Sequence, residues 1–320
     1  MTRYILRRLL LMIPVALLVT VFLFALIRMA PGDPVLTFAG EERDPALLAA
    51  IRTDLGLDDP VPVQYAKWLS HAVRGDLGRS FQTKQPVLEA IGERLPATLE
   101  LGAAAILLSV TISLVVGTVA AIKRNSPLDL LSTSLTLAGV SFPNFFLGLL
   151  LILLFSFVIP GRLFPPGGYT PFGTDALDNL RRLVLPAVTL AAASAAVNMR
   201  QMRSSLIEAF NQDYIRTARA KGLPERAVIT RHALKNALIP VVTLIGIQLG
   251  AIIEGAFITE TIFFWPGIGR LAVQAIPSGD YPIVQGVVLV SALSFMISTL
   301  VVDVLYAFLD PRISYGGSAT

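Results

Sequence analysis

Residues 101–122 read LGAAAILLSVTISLVVGTVAAI, a run of 22 residues without a charged side chain. At about 1.5 Å per residue, a helix of this length crosses the roughly 30 Å hydrocarbon core of a bilayer. The whole chain has the same bias, because 54% of its 320 residues are apolar and 15% are charged, against about 25% charged in soluble domains. The mean hydropathy is +0.69. These values predict a membrane protein and exclude an intrinsically disordered chain.

Further apolar segments lie on both sides of this run. They are Leu9–Ile27, Leu130–Gly161, Leu183–Met199, Ala237–Ile253 and Ile283–Val302. The segment from Leu130 holds 32 residues, too many for one straight span, and Pro143 inside it predicts a kink. We therefore expect an all-α membrane protein with six transmembrane helices. The first apolar run is longer than the roughly 7–15 residues of a signal-peptide core, so we expect it to be retained.

The Lys and Arg residues predict the orientation and the domain organisation. With a cytoplasmic N-terminus, the cytoplasmic segments hold 14 Lys and Arg in 63 residues and the external segments hold 11 in 118. The positive-inside rule favours this orientation. The predicted units are an N-terminal transmembrane helix (1–30), a small extracytoplasmic helical cap (31–96), a core of five helices (97–309) and a cytoplasmic tail (310–320). Helical spacing predicts cap helices at Pro45–Leu55 and Val63–Val73, and a passive linker is the alternative.

Residues 200–236 are the longest basic cytoplasmic segment. Four apolar residues in it recur at a spacing of three or four, namely Ile207, Phe210, Tyr214 and Ala218. This spacing predicts a helix with one apolar face. Gly222 stands where a left-handed helix cap is expected, and Pro224 begins a second helix. The predicted hairpin is either a solvated basic loop near anionic lipid or a docking element for a cytoplasmic partner.

Other candidate functional residues lie in or between the apolar runs. Asn144 and Gln248 are polar, so we expect them to face the bundle interior or a translocation path. Residues 263–269 read FFWPGIG. This aromatic turn is either an interfacial anchor or a re-entrant or gating loop. The candidate gate residues in it are Trp265, Pro266, Gly267 and Gly269. Gly246 and Gly250 form a small-residue pattern suited to close helix packing, either within this chain or against a partner chain. For Asp303 we expect a structural hydrogen bond, with a substrate contact as the alternative.

Several chemistries are excluded by the sequence. The chain has no cysteine, which excludes disulfides and thiolate metal sites. It has no Gly-x-x-x-x-Gly-Lys-Ser/Thr phosphate-binding loop. Its two histidines, His71 and His232, fall on opposite sides of the predicted membrane, so we expect no metal site. The chain is therefore not expected to be an enzyme.

The stretch 213–222, DYIRTARAKG, closely resembles the coupling loop of permeases of ABC importers of the dipeptide/oligopeptide/nickel family. The family pattern is Glu-Ala-Ala, three residues, Gly, then nine residues and Ile-x-Leu-Pro. Arg216-Thr217-Ala218 occupies the place of the first triplet, and Gly222 that of the glycine. The chain departs from the pattern at Leu234-Lys235, where Leu-Pro is expected, and a proline follows only at Pro240.

Three further stretches resemble the same family, and more specifically its first, "B"-type permease subunit. They are Tyr4–Leu9 through Pro31–Pro34 at the N-terminus, Thr259–Phe263 followed by Pro266–Gly269 in the last external loop, and Val302–Tyr306 with Asp310–Arg312 at the C-terminus. The resemblance thus spans essentially the whole chain. It implies an importer-type permease bundle in the bacterial cytoplasmic (inner) membrane.

The resemblance also implies partners and a mechanism. Such a permease is one half of a channel formed with a second permease, which suggests a heterodimer. Two ATPase subunits hold ATP and Mg, a binding protein delivers substrate from outside, and this chain binds neither a cofactor nor nucleic acid. The implied ATPase-coupling residues are Tyr214, Arg216, Thr217, Ala218, Arg219, Lys221 and Gly222. In this interpretation the small Ala218 and Gly222 allow close approach to the ATPase, and the basic residues pair with acidic groups on it.

The substrate is open at this level. Di- and oligopeptides are the expected cargo, and glutathione or nickel as a chelate is the alternative. A stand-alone secondary carrier is a second alternative. It is disfavoured because such carriers usually show several buried ionisable residues and an internal repeat, and because a carrier needs no ATPase docking hairpin.

Overall fold

The computed structural model describes residues 2–29, 34–39, 44–54, 56–159 and 163–309. In these ranges the regular structure is helical, which confirms the all-α prediction. The helices are α1 (Thr2–Met29), α2 (Pro34–Ala39), α3 (Pro45–Asp54), α4 (Val61–Val73), α5 (Val87–Ile122), α6 (Pro127–Ser141), α7 (Asn144–Ile152), α8 (Ala176–Phe210), α9 (Asp213–Ala220), α10 (Glu225–Ala227), α11 (Leu234–Ile262), α12 (Ile268–Ala275) and α13 (Tyr281–Leu309). A π-helical segment, Leu153–Val158, extends α7, and another, Val228–Ala233, joins α10 to α11.

The apolar helices match the predicted spans. In the described ranges, five helical stretches are long and apolar enough to cross a membrane, and α6 with the extended α7 makes a sixth if this bent pair is one span. The chain direction bends by 108° between the two arms of the pair. The break is at Pro143, as predicted, because Phe142 and Pro143 have extended backbone angles and proline cannot continue the hydrogen bonding of α6.

Two helices are much longer than the bilayer is thick. Helix α5 has 36 residues and α8 has 35, so each is more than 50 Å long at about 1.5 Å per residue. Helix α5 already begins at Val87, inside the range 31–96 that the sequence analysis assigned to the cap. The remainder of that range contains α3 and α4, close to the two short helices predicted there.

Three buried apolar clusters hold the helices together. The cluster around Trp265, called the outer cluster because it lies toward the external end of the bundle, joins α5, α8 and α11. An inner cluster around Met202 and Leu206 joins α8 to α9 and to the start of α11. A third cluster, around Ile268, joins the first turns of α5 to α12 and α13. Helix α8 contributes to both the outer and the inner cluster and therefore connects the two ends of the bundle.

Gly246 lets α11 and α13 approach closely, because a Cβ built on it would overlap the side chain of Val302. This contact, formed through the small-residue pattern, lies within one chain. The surroundings of Gly250, the side chains of Glu254 and Asp303, and the tail 310–320 lie outside the described residues, so the hydrogen bond expected at Asp303 stays a prediction.

Candidate functional site

The cytoplasmic hairpin is formed by α9, the turn after it and α10. Helix α8 ends at Phe210, and α9 begins at Asp213 after a two-residue turn. The buried residues of α9 are Ile215 and Ala218, both in the inner cluster. Tyr214 is 38% exposed. The single apolar face predicted through Phe210 and Tyr214 is therefore wrong, because the turn changes the helical register and brings Ile215 inward.

The predicted coupling residues divide into two groups. Ala218 is 5% exposed and packs against this chain's own core, so the expectation that its small side chain faces an ATPase is wrong. Its small side chain fits into the inner cluster, where α9 packs mainly against the segment Val228–Ala233. The other six lie on the exposed surface of the hairpin: Tyr214, Arg216, Thr217, Arg219, Lys221 and Gly222.

Two of the basic side chains are paired within the hairpin. Arg219 donates two hydrogen bonds to the carboxylate of Glu225, at 3.1 and 2.6 Å, and this interaction raises the pKa of Arg219. Arg216 donates to Asp213 at 3.2 Å. Both pairs are exposed, so each contributes little to stability, about 0–1 kcal/mol. They hold the arginines in fixed directions on the surface and leave Lys221 as a further exposed charge.

Gly222 ends α9 in the left-handed conformation that the sequence predicts, with φ of +76°. Its N–H donates to the carbonyl of Arg219 at 2.9 Å, and the N–H of Leu223 donates to that of Ala218 at 3.4 Å. A Cβ built on Gly222 meets no described atom within 4 Å. Glycine is thus favoured by the backbone angle, and the space beside it is open.

An ion pair at the cytoplasmic side joins α6 to α8. Arg203 donates to both carboxylate oxygens of Asp129, at 2.6 and 2.7 Å, and the N–H of Asn125 also donates to Asp129. The Asp129 side chain is only 6% exposed. The sequence alone does not predict this pair, because the two residues are 74 positions apart and no local pattern connects them.

We expect Arg203→Gln to destabilise the protein by about 3 kcal/mol, because the substitution leaves a buried carboxylate without its cation. Thermal unfolding of the detergent-solubilised protein measures the effect. Arg200→Gln, an exposed arginine on the same helix, is the matched control and should change the melting temperature little. The double variant Asp129→Asn/Arg203→Gln should recover part of the loss, and a double variant as unstable as the sum of the singles would contradict the pairing.

Within the bundle, three polar side chains from three helices meet. Asn198 of α8 donates to Gln248 of α11 at 2.9 Å and to Ser109 of α5 at 3.3 Å. Gln248 therefore faces the bundle interior, as predicted. Asn198 is not among the residues predicted from the sequence. It is a polar residue within an apolar run, as Gln248 is, so the same reasoning could have selected it. Asn144 is half-buried at the first position of α7, after Pro143, away from this group.

The aromatic turn after α11 is part of the core. Trp265 is fully buried, and its Nε1 donates to the carbonyl of Ala97 at 2.8 Å. Its ring also contacts Tyr169 edge-on, with centroids 4.7 Å apart. The prediction that Trp265 is an anchor at the lipid headgroups is therefore wrong. The neighbouring Phe264, by contrast, is 62% exposed. A gating role for the turn stays a prediction.

Beside Trp265 lies a buried carboxylate that the sequence analysis did not select. Glu260 is fully buried. It accepts hydrogen bonds from Thr98 Oγ1 at 2.6 Å, from the N–H of Arg270 at 3.0 Å and from the N–H of Gly269. A Cβ on Gly267 would overlap this carboxylate, and a Cβ on Gly269 would lie 2.6 Å from the Cα of Phe257. Two of the predicted gate residues are thus glycines because the turn packs tightly, Gly267 against Glu260 and Gly269 against Phe257.

A second acidic group fixes the extracytoplasmic end of α8. Glu100 accepts from Asn179 Nδ2 at 2.7 Å and from the Tyr169 hydroxyl at 3.0 Å. Burial, together with the adjacent Glu100, raises the pKa of Tyr169 and keeps its hydroxyl protonated as a donor. These contacts join α5, α8 and the segment before α8, so the external end of the bundle is held by polar networks as well as by apolar packing.

Comparison with known proteins gives a match over nearly the whole chain. The family described as "Binding-protein-dependent transport system inner membrane component" matches residues 113–315, and the corresponding N-terminal family matches residues 1–102. The glutathione transport system permease protein GsiC of Salmonella typhimurium is 41% identical over 315 residues, 98% of this chain and 100% of the relative. A putative peptide transport system permease protein of Brucella suis is 43% identical over the same lengths.

A solved structure is also similar, the crystal structure of an amino acid ABC transporter. It shares 16% sequence identity with a TM-score of 0.48, and the match covers 70% of this chain and 94% of that chain.

The helices, the family match and the two permease relatives define a multi-pass transport component of the bacterial inner membrane. The chain belongs to the binding-protein-dependent transport system inner membrane components, as a permease subunit of an ABC importer of the peptide/nickel class. Its role is transport rather than enzymatic catalysis.

Proposed function

We propose that this permease translocates short peptides, with glutathione, itself a tripeptide, within the range of possible cargo. The observation that supports this substrate class is the 41–43% identity, over 98% of the chain, to relatives named for glutathione and peptide transport. Nickel chelates are the second candidate, because they fall within the same importer class. The alternative of a stand-alone secondary carrier is no longer supported, since the chain belongs to the importer family.

The proposed partners are a second, different permease, two ATPase subunits that bind ATP and Mg, and an extracytoplasmic binding protein that delivers the substrate. This chain would bind no cofactor of its own. The hairpin supports an ATPase partner, because α9 presents Tyr214, Arg216 and Lys221 outward while Ile215 holds it to the core. A basic exposed helix of this kind fits a groove lined by acidic side chains.

The proposed mechanism uses α9 as a rigid contact. Because Ile215 and Ala218 pack in the same cluster as Met202 and Leu206 of α8, a displacement of α9 by the ATPases moves the end of α8 with it. Packed interfaces of this kind shift between discrete arrangements. Asn144 and Gln248 remain the proposed polar residues of the path, now joined by Asn198.

The substrate is tested by uptake into proteoliposomes that contain the assembled importer, its binding protein and internal ATP. Labelled dipeptides, oligopeptides, glutathione and a nickel chelate are compared. Faster ATP-dependent uptake of a peptide than of the nickel chelate supports the proposal. Uptake of the nickel chelate alone contradicts it.

The partners are tested by purification of the tagged permease from its native membrane, followed by mass spectrometry. Recovery of two ATPases, a second permease and a binding protein is the expected result. Recovery of this chain alone, in conditions that preserve another ABC complex, would contradict the proposed assembly.

A further inference from the structure

A cavity in the described part of the chain lies at the external end of α1, away from the candidate path. It has a volume of about 500 Å³, within the range of roughly 300–1,000 Å³ that is usual for ligand sites. Its walls come from α1, α3, α4, the loop around residues 76–81 and the start of α13. Nothing in the transport mechanism above uses it.

Hydrogen bonds and ring contacts fix the walls of this cavity. Thr20 of α1 and Tyr65 of α4 are hydrogen-bonded at 2.9 Å, and Phe24 contacts the ring of Tyr65 edge-on at 5.5 Å. Gln64, itself 7% exposed, donates to the carbonyls of Leu57 and Asp59. The wall residue Phe81 is held from behind, because its N–H donates to Asp280 at 2.9 Å. The cavity is therefore a formed site.

The charged groups lining the cavity are mostly basic. Lys67 pairs with Asp59 at 2.6 Å, and His71 pairs with Asp76 at 3.3 Å. Two arginines remain, and within the described residues neither has a carboxylate partner. Arg28 lies over the ring of Phe24 at 5.1 Å, and Arg79 donates to the carbonyl of Lys84 at 3.2 Å. Two guanidinium groups in one cavity fit an anion with several oxygens, above all a phosphate.

The position of the cavity indicates where the phosphate comes from. Arg28 lies two residues beyond Leu26, the last residue of the apolar span of α1, which is the depth of the lipid headgroups. Leu26 and Met29, at the same end of α1, are 52% and 84% exposed. The cavity is also lined by Trp68 and Tyr281, residue types that favour the membrane interface.

We propose that this cavity binds the phosphate headgroup of an anionic phospholipid of the external leaflet, such as phosphatidylglycerol, through Arg28 and Arg79. The acyl chains would then lie along the exposed apolar surface of α1. A bound lipid would join α1 and the cap to the start of α13. This site is independent of the peptide cargo and of the ATPases.

The test uses the whole importer in nanodiscs that contain equal amounts of phosphatidylglycerol and phosphatidylcholine. Native mass spectrometry counts the lipids that the complex retains after release. Since a hydrogen bond to a charged group typically corresponds to roughly a tenfold change in binding, Arg28→Gln/Arg79→Gln should lower phosphatidylglycerol retention by roughly tenfold or more. Arg74→Gln, at an exposed arginine that does not line the cavity, is the matched control and should retain it.

Two further measurements make the result decisive. Arg79→Gln alone, at an exposed side chain, is the second variant, with roughly tenfold weaker retention expected. Titration with inorganic phosphate and with glutathione distinguishes lipid from solute. The proposal is overturned by unchanged retention in both variants, by equal retention of phosphatidylcholine in the wild type, or by displacement of the lipid by either solute at submillimolar concentration.

Discussion

Gly222→Trp is expected to lower peptide uptake by at least tenfold while the protein remains in the membrane and continues to assemble with its partners. The left-handed backbone at Gly222 costs a residue with a Cβ only about 1–2 kcal/mol. A Cβ there meets no described atom of the chain within 4 Å. The indole would therefore extend into the space proposed for the ATPase and change the seating of α9. ATP hydrolysis should continue but no longer drive uptake.

Gly222→Asn is the matched control, because asparagine adopts the left-handed conformation more readily than other residues with a Cβ. It should transport nearly as well as the wild type. Uptake and ATP hydrolysis are measured in the same proteoliposomes. Normal, coupled uptake by Gly222→Trp would show that Gly222 does not lie against the ATPase. Equal loss in both variants would assign the effect to the backbone.

The second large effect is expected at the buried carboxylate of the external turn. Gly267→Ala should destabilise the protein by about 3 kcal/mol, because the new methyl group overlaps Glu260 and overpacking adds to the loss of its hydrogen bonds. Glu260→Ala should cost a similar amount, since the three groups that donate to the carboxylate lose their acceptor. Thermal unfolding in detergent and the amount of protein in the membrane measure both effects.

The double variant separates this explanation from a general sensitivity of the turn. With the carboxylate removed, the methyl group of Gly267→Ala has room, so it should cost less than about 1 kcal/mol in the Glu260→Ala background. Thr261→Val, a half-buried threonine whose hydroxyl bonds only to the carbonyl of Phe257 among described groups, is the control and should be nearly neutral. Additive losses in the double variant would contradict the predicted overlap.

The features that the sequence predicted well are those that depend on neighbouring residues. The long apolar runs become α5, α8, α11 and α13, Pro143 breaks the helix between α6 and α7, and Gly222 ends α9. Each follows from composition, from the fixed angle of proline or from the conformational freedom of glycine. The resemblance of residues 213–222 to a coupling loop identified the family before any contact was known.

The features that the sequence did not predict depend on contacts between distant residues. Glu260 lies in a stretch that the resemblance identified, yet its burial depends on Thr98, 162 positions earlier. Asp129 and Arg203 are also far apart in the sequence, by 74 positions. The spacing places Tyr214 on one apolar face with Ile207 and Phe210, because the turn at Asn211 has no glycine or proline to mark it. A periodic pattern predicts which face is apolar only while the helix is unbroken.

Helix α8 is unbroken from Ala176 to Phe210, even though Pro186 lacks the N–H for one of its backbone hydrogen bonds. If a rod of this length, about 53 Å, tilts as a rigid body about its midpoint, its two ends move in opposite directions. A sideways shift of about 3 Å at Phe210 corresponds to a rotation of roughly 7° about the midpoint, and it moves Asn179 by a similar distance in the opposite direction. The chain has no cysteine, so spin labels attached near the two ends of α8 can report this opposed motion directly, and movement of both ends in the same direction would exclude it.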